Sequence, residues 1–291
     1  MENNSLRLGG QALPEGILIK GPIFTVIAYR TENEIETVSI KWGFKVVNQL
    51  KTIPFLRGLI TIVETISLSL KSIFVMAEIT DEEVNTDSVF FKIIIGLMFI
   101  IVMIFTIGLV IFIPKLASNG LVNLLNIKVF LSTWIELLIR FMLFFVYIYF
   151  YRFFLIGKKM FKYHAAEHMA IHAFEHKKKL TINNLREFHK EHPRCGTAFL
   201  AFVFIYANII FHTLVFDVNF LFMIRLFISL FVISLTYETL LVGWKSNNLI
   251  VGKILNLPGF LLQKITTIKP DDSDLELAII ATKKCVELHK E

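Results

Sequence analysis

The chain has 291 residues, 55% of them hydrophobic and 19% charged, with a mean hydropathy of +0.65. Soluble domains run about 45–50% apolar and about 25% charged, so the balance argues against an ordinary soluble enzyme and against disorder, and points to an integral membrane protein. The net charge of +6 suits an anionic leaflet; with no basic cluster interleaved with stacking aromatics, it does not point to nucleic acid.

Residues 1–55 read as a β-rich N-terminal part on the cytoplasmic side. Gly9-Gly10, Glu15-Gly16 and Gly21-Pro22 punctuate short extended pieces, and Ile23–Arg30 and Ile35–Trp42 are β-branched and aromatic runs joined by a hairpin loop. Gly9-Gly10-Gln11 lacks the spacing of a nucleotide-binding loop. Residues 56–76 are apolar but carry Arg57, Glu64 and Lys71 at seven-residue intervals on one helical face, which predicts an amphipathic or re-entrant helix, with a membrane span as the alternative.

Four stretches then match the roughly 20 residues needed to cross hydrocarbon. They are Phe91–Ile113, Trp134–Ile156, Gly196–Phe216 and Asn219–Gly243, the last two separated only by Asp217-Val218. Residues 91–156 thus hold the first two spans, 157–195 a loop, 196–243 the other two spans, and 244–291 a tail. The loop is rich in lysine and arginine, whereas the connection between the first two spans holds only Lys115 and Lys128. The positive-inside rule therefore puts the loop and both termini in the cytoplasm. No secretory signal is expected at the N-terminus, and two cysteines, Cys195 and Cys285, are too few for a disulfide framework. In the tail, Asn248–Lys264 predicts an amphipathic helix interrupted at Pro258-Gly259, Thr266–Ile268 a short strand, and Asp274–His289 a helix capped by Asp272 or Ser273. The expected fold class is a polytopic α-helical membrane protein with a mixed α+β cytoplasmic head.

Six of the eight histidines lie in the loop. His164-Ala-Ala-Glu167-His168 has the form HxxEH. On a helix the two imidazoles are one turn apart and can reach one ion, while Glu167 on the same side can act as general base on the attacking water. A third ligand is expected from His192-Pro193-Arg194-Cys195-Gly196, where His192 and Cys195 both suit zinc; His172, Glu175, His176 and His189 are further candidates. The expected cofactor is a divalent metal, zinc by ligand type. Glu136, Arg140 and Arg225 form a second set of ionisable residues inside predicted spans, and Glu238 is expected at the depth of Cys195.

Several segments carry a resemblance: GGQALPEGILIKGP at Gly9–Pro22, PFLRGLITIVE at Pro54–Glu64, YHAAEH at Tyr163–His168, HPRCGTAF at His192–Phe199, Tyr237-Glu238, and LPGFLLQKITTIKPDD at Leu257–Asp272. Together they resemble the YqhQ-like family of bacterial membrane proteins, a family of uncharacterised function predicted to be metal-dependent enzymes. In the family's loop pattern, YHGAEHKTINAYE, Lys, Thr and Asn stand where this chain has Met169, Ala170 and His172. The resemblance implies a metal site and no particular substrate, and associates Gln11, Glu15, Arg57 and Glu64 with a shared head.

Two functions follow as expectations. One is a zinc hydrolase at the cytoplasmic membrane face, with His164, His168 and His192 or Cys195 as ligands, Glu167 as base, and Arg194 or Arg57 stabilising an oxyanion. The other is a non-catalytic transport or membrane-protein assembly factor with a structural metal site. The lipid bilayer is the expected partner in either case.

Overall fold

A computed structural model of the chain describes residues 6–32, 34–42, 49–80, 88–125, 129–214, 222–246 and 249–290. Four strands, β1 (Gly9–Ala12), β2 (Gly16–Lys20), β3 (Phe24–Arg30) and β4 (Ile35–Lys41), form an antiparallel meander in the order β1-β2-β3-β4. Nine helices follow among the described residues: α1 (Leu56–Thr80), α2 (Val89–Leu125), α3 (Val129–Tyr151), α4 (Leu155–Glu175), the short α5 (Ile182–Leu185), α6 (Gly196–Leu214), α7 (Phe222–Lys245), α8 (Leu249–Thr266) and α9 (Asp272–Leu288). The chain divides into two compact units, Met1–Leu70 with Arg152–Glu291, and Lys71–Tyr151.

Among the described residues, three helices are long and apolar enough to cross a membrane: Leu56–Ile79, Trp134–Tyr151 and Leu226–Lys245. They are consistent with a membrane protein. The apolar stretch of α6, Gly196–Ile210, is shorter. The first expected span falls within α2, many of whose side chains lie outside the described residues; so do the turn at Asp217-Val218 and the side chain of Arg225. In the second unit α2 packs on α3, and Arg140 pairs with Glu136 one turn away, which satisfies both charges within one apolar helix.

In the first unit, α4 and α9 cover one face of the sheet. The reason lies in the alternation of β2 and β3: Ile17, Ile19, Val26 and Ala28 point to one side and join Ala166, Ala170, Ala173, Leu275 and Ala278 in a single core. Each fully buried isoleucine contributes about 1.5–3 kcal/mol, and the alanines let α4 lie close on the strands. The alternate residues face the other way. Gln11 accepts a hydrogen bond from Ser69 of α1 at 2.9 Å, and Lys20 pairs with Glu64 of α1 at 2.7 Å. Helices α6, α7 and α8 pack on one another. Gly259 permits the close approach of α8 to α6, since a Cβ there would lie 2.4 Å from the Cβ of Ala198.

The tail departs from expectation in three places. Helix α8 runs unbroken through Pro258 to Thr266, because a proline removes one backbone bond and the flanking turns hold. Thr266-Thr267-Ile268 is not a strand. Thr266 and Thr267 instead bond their hydroxyls to the carbonyls of Leu262 and Gln263, and the Thr267 N–H also reaches Gln263 O at 2.9 Å, so the segment is tied to the preceding helical turn and closes the end of α8. Helix α9 starts at Asp272, one residue after its cap Asp271, whose N–H donates to Asp274 Oδ2 at 2.8 Å; the cap thus precedes the expected Asp272 or Ser273.

Candidate metal centre

Helix α4 carries His164, Glu167 and His168 toward the loop that ends at Cys195. His164 donates from Nδ1 to the carbonyl of Thr266 at 3.0 Å, and His168 donates from Nδ1 to the carbonyl of Lys190 at 2.6 Å. A carbonyl only accepts, so each bond fixes the proton on Nδ1 and leaves the Nε2 lone pair free for another partner. Thr266 ends α8, where carbonyls lack helical partners, so a helix end orients a ligand. His164 Nε2 lies 3.0 Å from Cys195 Sγ, and one ligand atom from each of His164, His168 and Cys195 falls within 4.8 Å of the others.

Cys195 precedes α6 and is buried. Thr197 bonds to its sulfur through the backbone N–H at 3.4 Å and the hydroxyl at 3.1 Å. Burial acts to raise the thiol, but the neighbouring His168 and the Thr197 donors outweigh it and hold the thiol below its ordinary value. Burial holds His168 below its ordinary value, so its imidazole is neutral at pH 7. Two imidazole nitrogens and a thiolate-prone sulfur fit a divalent metal with a preference for nitrogen and sulfur, and the carbonyl partners of the two rings are the supports such ligands need.

His192 is not drawn into this group. It belongs to a second one with His172 and Glu175, whose ligand atoms likewise lie within 4.8 Å of each other. The N–H of Arg194 donates to His192 Nδ1 at 3.2 Å, and His192 Nε2 faces Glu175 Oε2 at 3.3 Å. This is the opposite tautomer, with Nε2 carrying the proton. His172 donates from Nε2 to the carbonyl of Glu191 at 2.9 Å. Burial holds His172 and His192 down at about 4. The guanidinium of Arg194 pairs with Glu175.

Glu167 is 3% exposed. Its Oε2 lies 3.6 Å from His168 Nε2. Burial pushes its carboxyl up to about 8, against the opposing pull of His164 and Arg194. Strand β1 passes directly over it: a Cβ on Gly10 would lie 2.4 Å from Glu167 Cγ and Oε1. Glu238 stands elsewhere, taken up by Arg57 Nε at 2.8 Å and by the N–H of Phe55 at 2.9 Å. Glu64 is occupied by Lys20 and Lys51.

Gln263 is the residue that motif reasoning passes over. It is 0% exposed. Its Oε1 accepts the N–H of His192 at 2.7 Å and its Nε2 donates to the carbonyl of His192 at 3.1 Å. The indole N–H of Trp244 bonds to the carbonyl of Pro193. The two together hold the loop that delivers Cys195. An amide buried in the run Leu261-Leu262-Gln263 was the available signal, because a polar group at such a position requires partners.

The chain is 26% identical over 295 residues to "Uncharacterized protein YqhQ" of Bacillus subtilis (strain 168), covering 96% of this chain and 92% of that protein. No solved structure matches. The family described as "Protein of unknown function (DUF1385)" matches residues 53–288, which include α4, the Cys195 loop and α8, and the chain belongs to that family.

Proposed function

We propose that this chain is a membrane-embedded hydrolase that uses a divalent metal, zinc by ligand chemistry, held by His164, His168 and Cys195 at the cytoplasmic face. The observation that carries this reading is the pair of Nδ1 bonds to backbone carbonyls, which aims two Nε2 lone pairs at the region of Cys195 Sγ. Three protein donors are the number found in catalytic zinc sites, where a fourth position serves water or substrate. Bound there, zinc supplies Lewis acidity that lowers the pKa of water and polarises a carbonyl.

The chain's own residues do the rest. Glu167 accepts the proton of the attacking water. In the metal-free protein burial keeps its carboxyl high; a cation beside it, added to the charge of Arg194, favours the ionised form that a base needs. Arg194, anchored on Glu175, faces the site with positive charge and supports an oxyanion. His192 and Gln263 act as positioning residues for the loop. In this reading the basic loop between α4 and α6 places the head, and both termini, in the cytoplasm.

Metal analysis of the protein purified in detergent tests the proposal. We expect about one equivalent of zinc, lost in His164→Ala, His168→Ala and Cys195→Ala. Retained metal in all three variants rejects the ligand set. With zinc retained in Glu167→Gln, the hydrolytic reading requires that this variant fail to complement a deletion strain; full complementation rejects it.

A further inference from the structure

The edge of the sheet beside Glu167 has the form of a substrate cradle. Strand β1 is an edge strand, paired on one side with β2. In an antiparallel pair every second residue turns its N–H and C=O to the neighbour, and the others turn outward. Among the described residues, no strand pairs with the outer side of β1.

Edge strands are normally blunted by charge, proline or a bulge, because a bare edge recruits other chains. The opposite edge, β4, carries Glu36 and the exposed Lys41. Strand β1 is Gly9-Gly10-Gln11-Ala12, without charge or proline, and its two glycines are exposed. A Cβ on Gly9 would meet nothing within 4 Å, so the sheet face at that end of the strand is open. The strand is also fixed in place: Gln11 is tied to Ser69 on one face, and Gly10 rests on Glu167 on the other.

A strand added beyond β1 would lie about 4.8 Å away. The residue opposite Gly10 would have its Cβ about 4.5–5.5 Å from the Cβ position of Gly10. That position is occupied by the Glu167 side chain, so the added strand would pass within about one water's width of the carboxyl.

We propose that the substrate of this site is an extended polypeptide segment that pairs with the outer edge of β1, presenting a backbone amide to Glu167. This deepens the hydrolase reading above and rests on it. The bond broken is then a peptide C–N: water oxygen bonds to the carbonyl carbon, Glu167 takes the water proton, and that proton passes to the departing amine. Water is the only co-reactant.

The test uses the full chain in detergent, loaded with zinc and carrying Glu167→Gln to prevent turnover. Fluorescein-labelled randomised decapeptides are screened by anisotropy, and the strongest binder is remade with N-methyl groups on alternate backbone nitrogens. Edge pairing predicts a period of two: one set of methyl groups weakens binding at least tenfold, and the intervening set changes it less than twofold. Equal effects of both sets overturn the proposal, as does the absence of peptide binding by zinc-loaded protein. Zinc is measured on the same sample. Protein without stoichiometric zinc rejects the underlying hydrolase reading; zinc-loaded protein that ignores peptides rejects only the peptide assignment.

Discussion

The contact of Gly10 with Glu167 gives the most direct test of the site's construction. A Cβ at Gly10 would sit 2.4 Å from both Cγ and Oε1 of Glu167. Ordinary carbon contacts begin near 3.5 Å, so Gly10→Ala must displace the carboxyl, the strand, or both by about 1 Å. Glu167 lies on a helix whose Ala165, Ala166 and Ala170 are fully buried, so little relaxation is available. Overpacking of this kind costs about 1–3 kcal/mol, set against a gain of about 0.5–1 kcal/mol from replacing a strand glycine. The assay is a double-mutant cycle by denaturant or thermal unfolding of the chelator-treated protein in detergent. In the wild-type background Gly10→Ala destabilises. In a Glu167→Ala background the obstructing atoms are gone, and the same substitution becomes neutral or stabilising. An equal cost in both backgrounds would refute the reasoning, because the penalty would not come from Glu167.

Other outcomes follow from the same geometry. His192→Ala should retain zinc, because its Nε2 carries a proton toward Glu175; loss of metal, with the fold intact by circular dichroism, would return His192 to the ligand set. Gln263→Leu leaves the N–H of His192 without its partner, at about 1–3 kcal/mol, and removes one of the two donors to the His192 carbonyl, which keeps the Cys195 N–H at 3.3 Å; it weakens zinc binding by loosening the Cys195 loop, and unchanged stability would show the clamp to be dispensable. In the chelator-treated protein, burial pushes the Glu167 carboxyl up to about 8 in the folded state, above its ordinary value of 4.5. The folded state therefore holds its proton longer, and stability falls as pH rises between those values; unfolding of Glu167→Gln should lack that slope. His172 and His192 are held at about 4 by burial, below their ordinary value of 6.5. Their sign is reversed, so stability is lost as pH falls from about 6.5 toward 4, and His172→Gln should reduce the loss.

Much of the molecule was legible along the chain. The runs at Ile23–Arg30 and Ile35–Trp42 appear as β3 and β4 within a residue at either end, because alternation of apolar residues is a local property that survives into the sheet. The HxxEH spacing placed His164, Glu167 and His168 on one helix, since one turn separates residues four apart. The tail departs from its local propensities at Pro258 and Thr266-Thr267, where packing on α6 and hydroxyl bonds to the preceding turn outweigh breaker and β preferences.

The sequence by itself determined the apolar helices, the small sheet and the list of residues able to bind a metal. It left His192 and Cys195 as equals beside the two histidines. Only the tertiary structure separated them. The carbonyls of Thr266 and Lys190 set one tautomer on His164 and His168, and the Arg194 N–H and Glu175 set the other on His192. A tautomer depends on what faces the second ring nitrogen, and here those partners come from 17 to 102 residues away for every ring except where the Cys195 loop folds back on itself. The glycine over Glu167 is of the same kind: Gly10 is remote in the chain from the carboxylate it accommodates, and only the fold shows that no side chain can stand there.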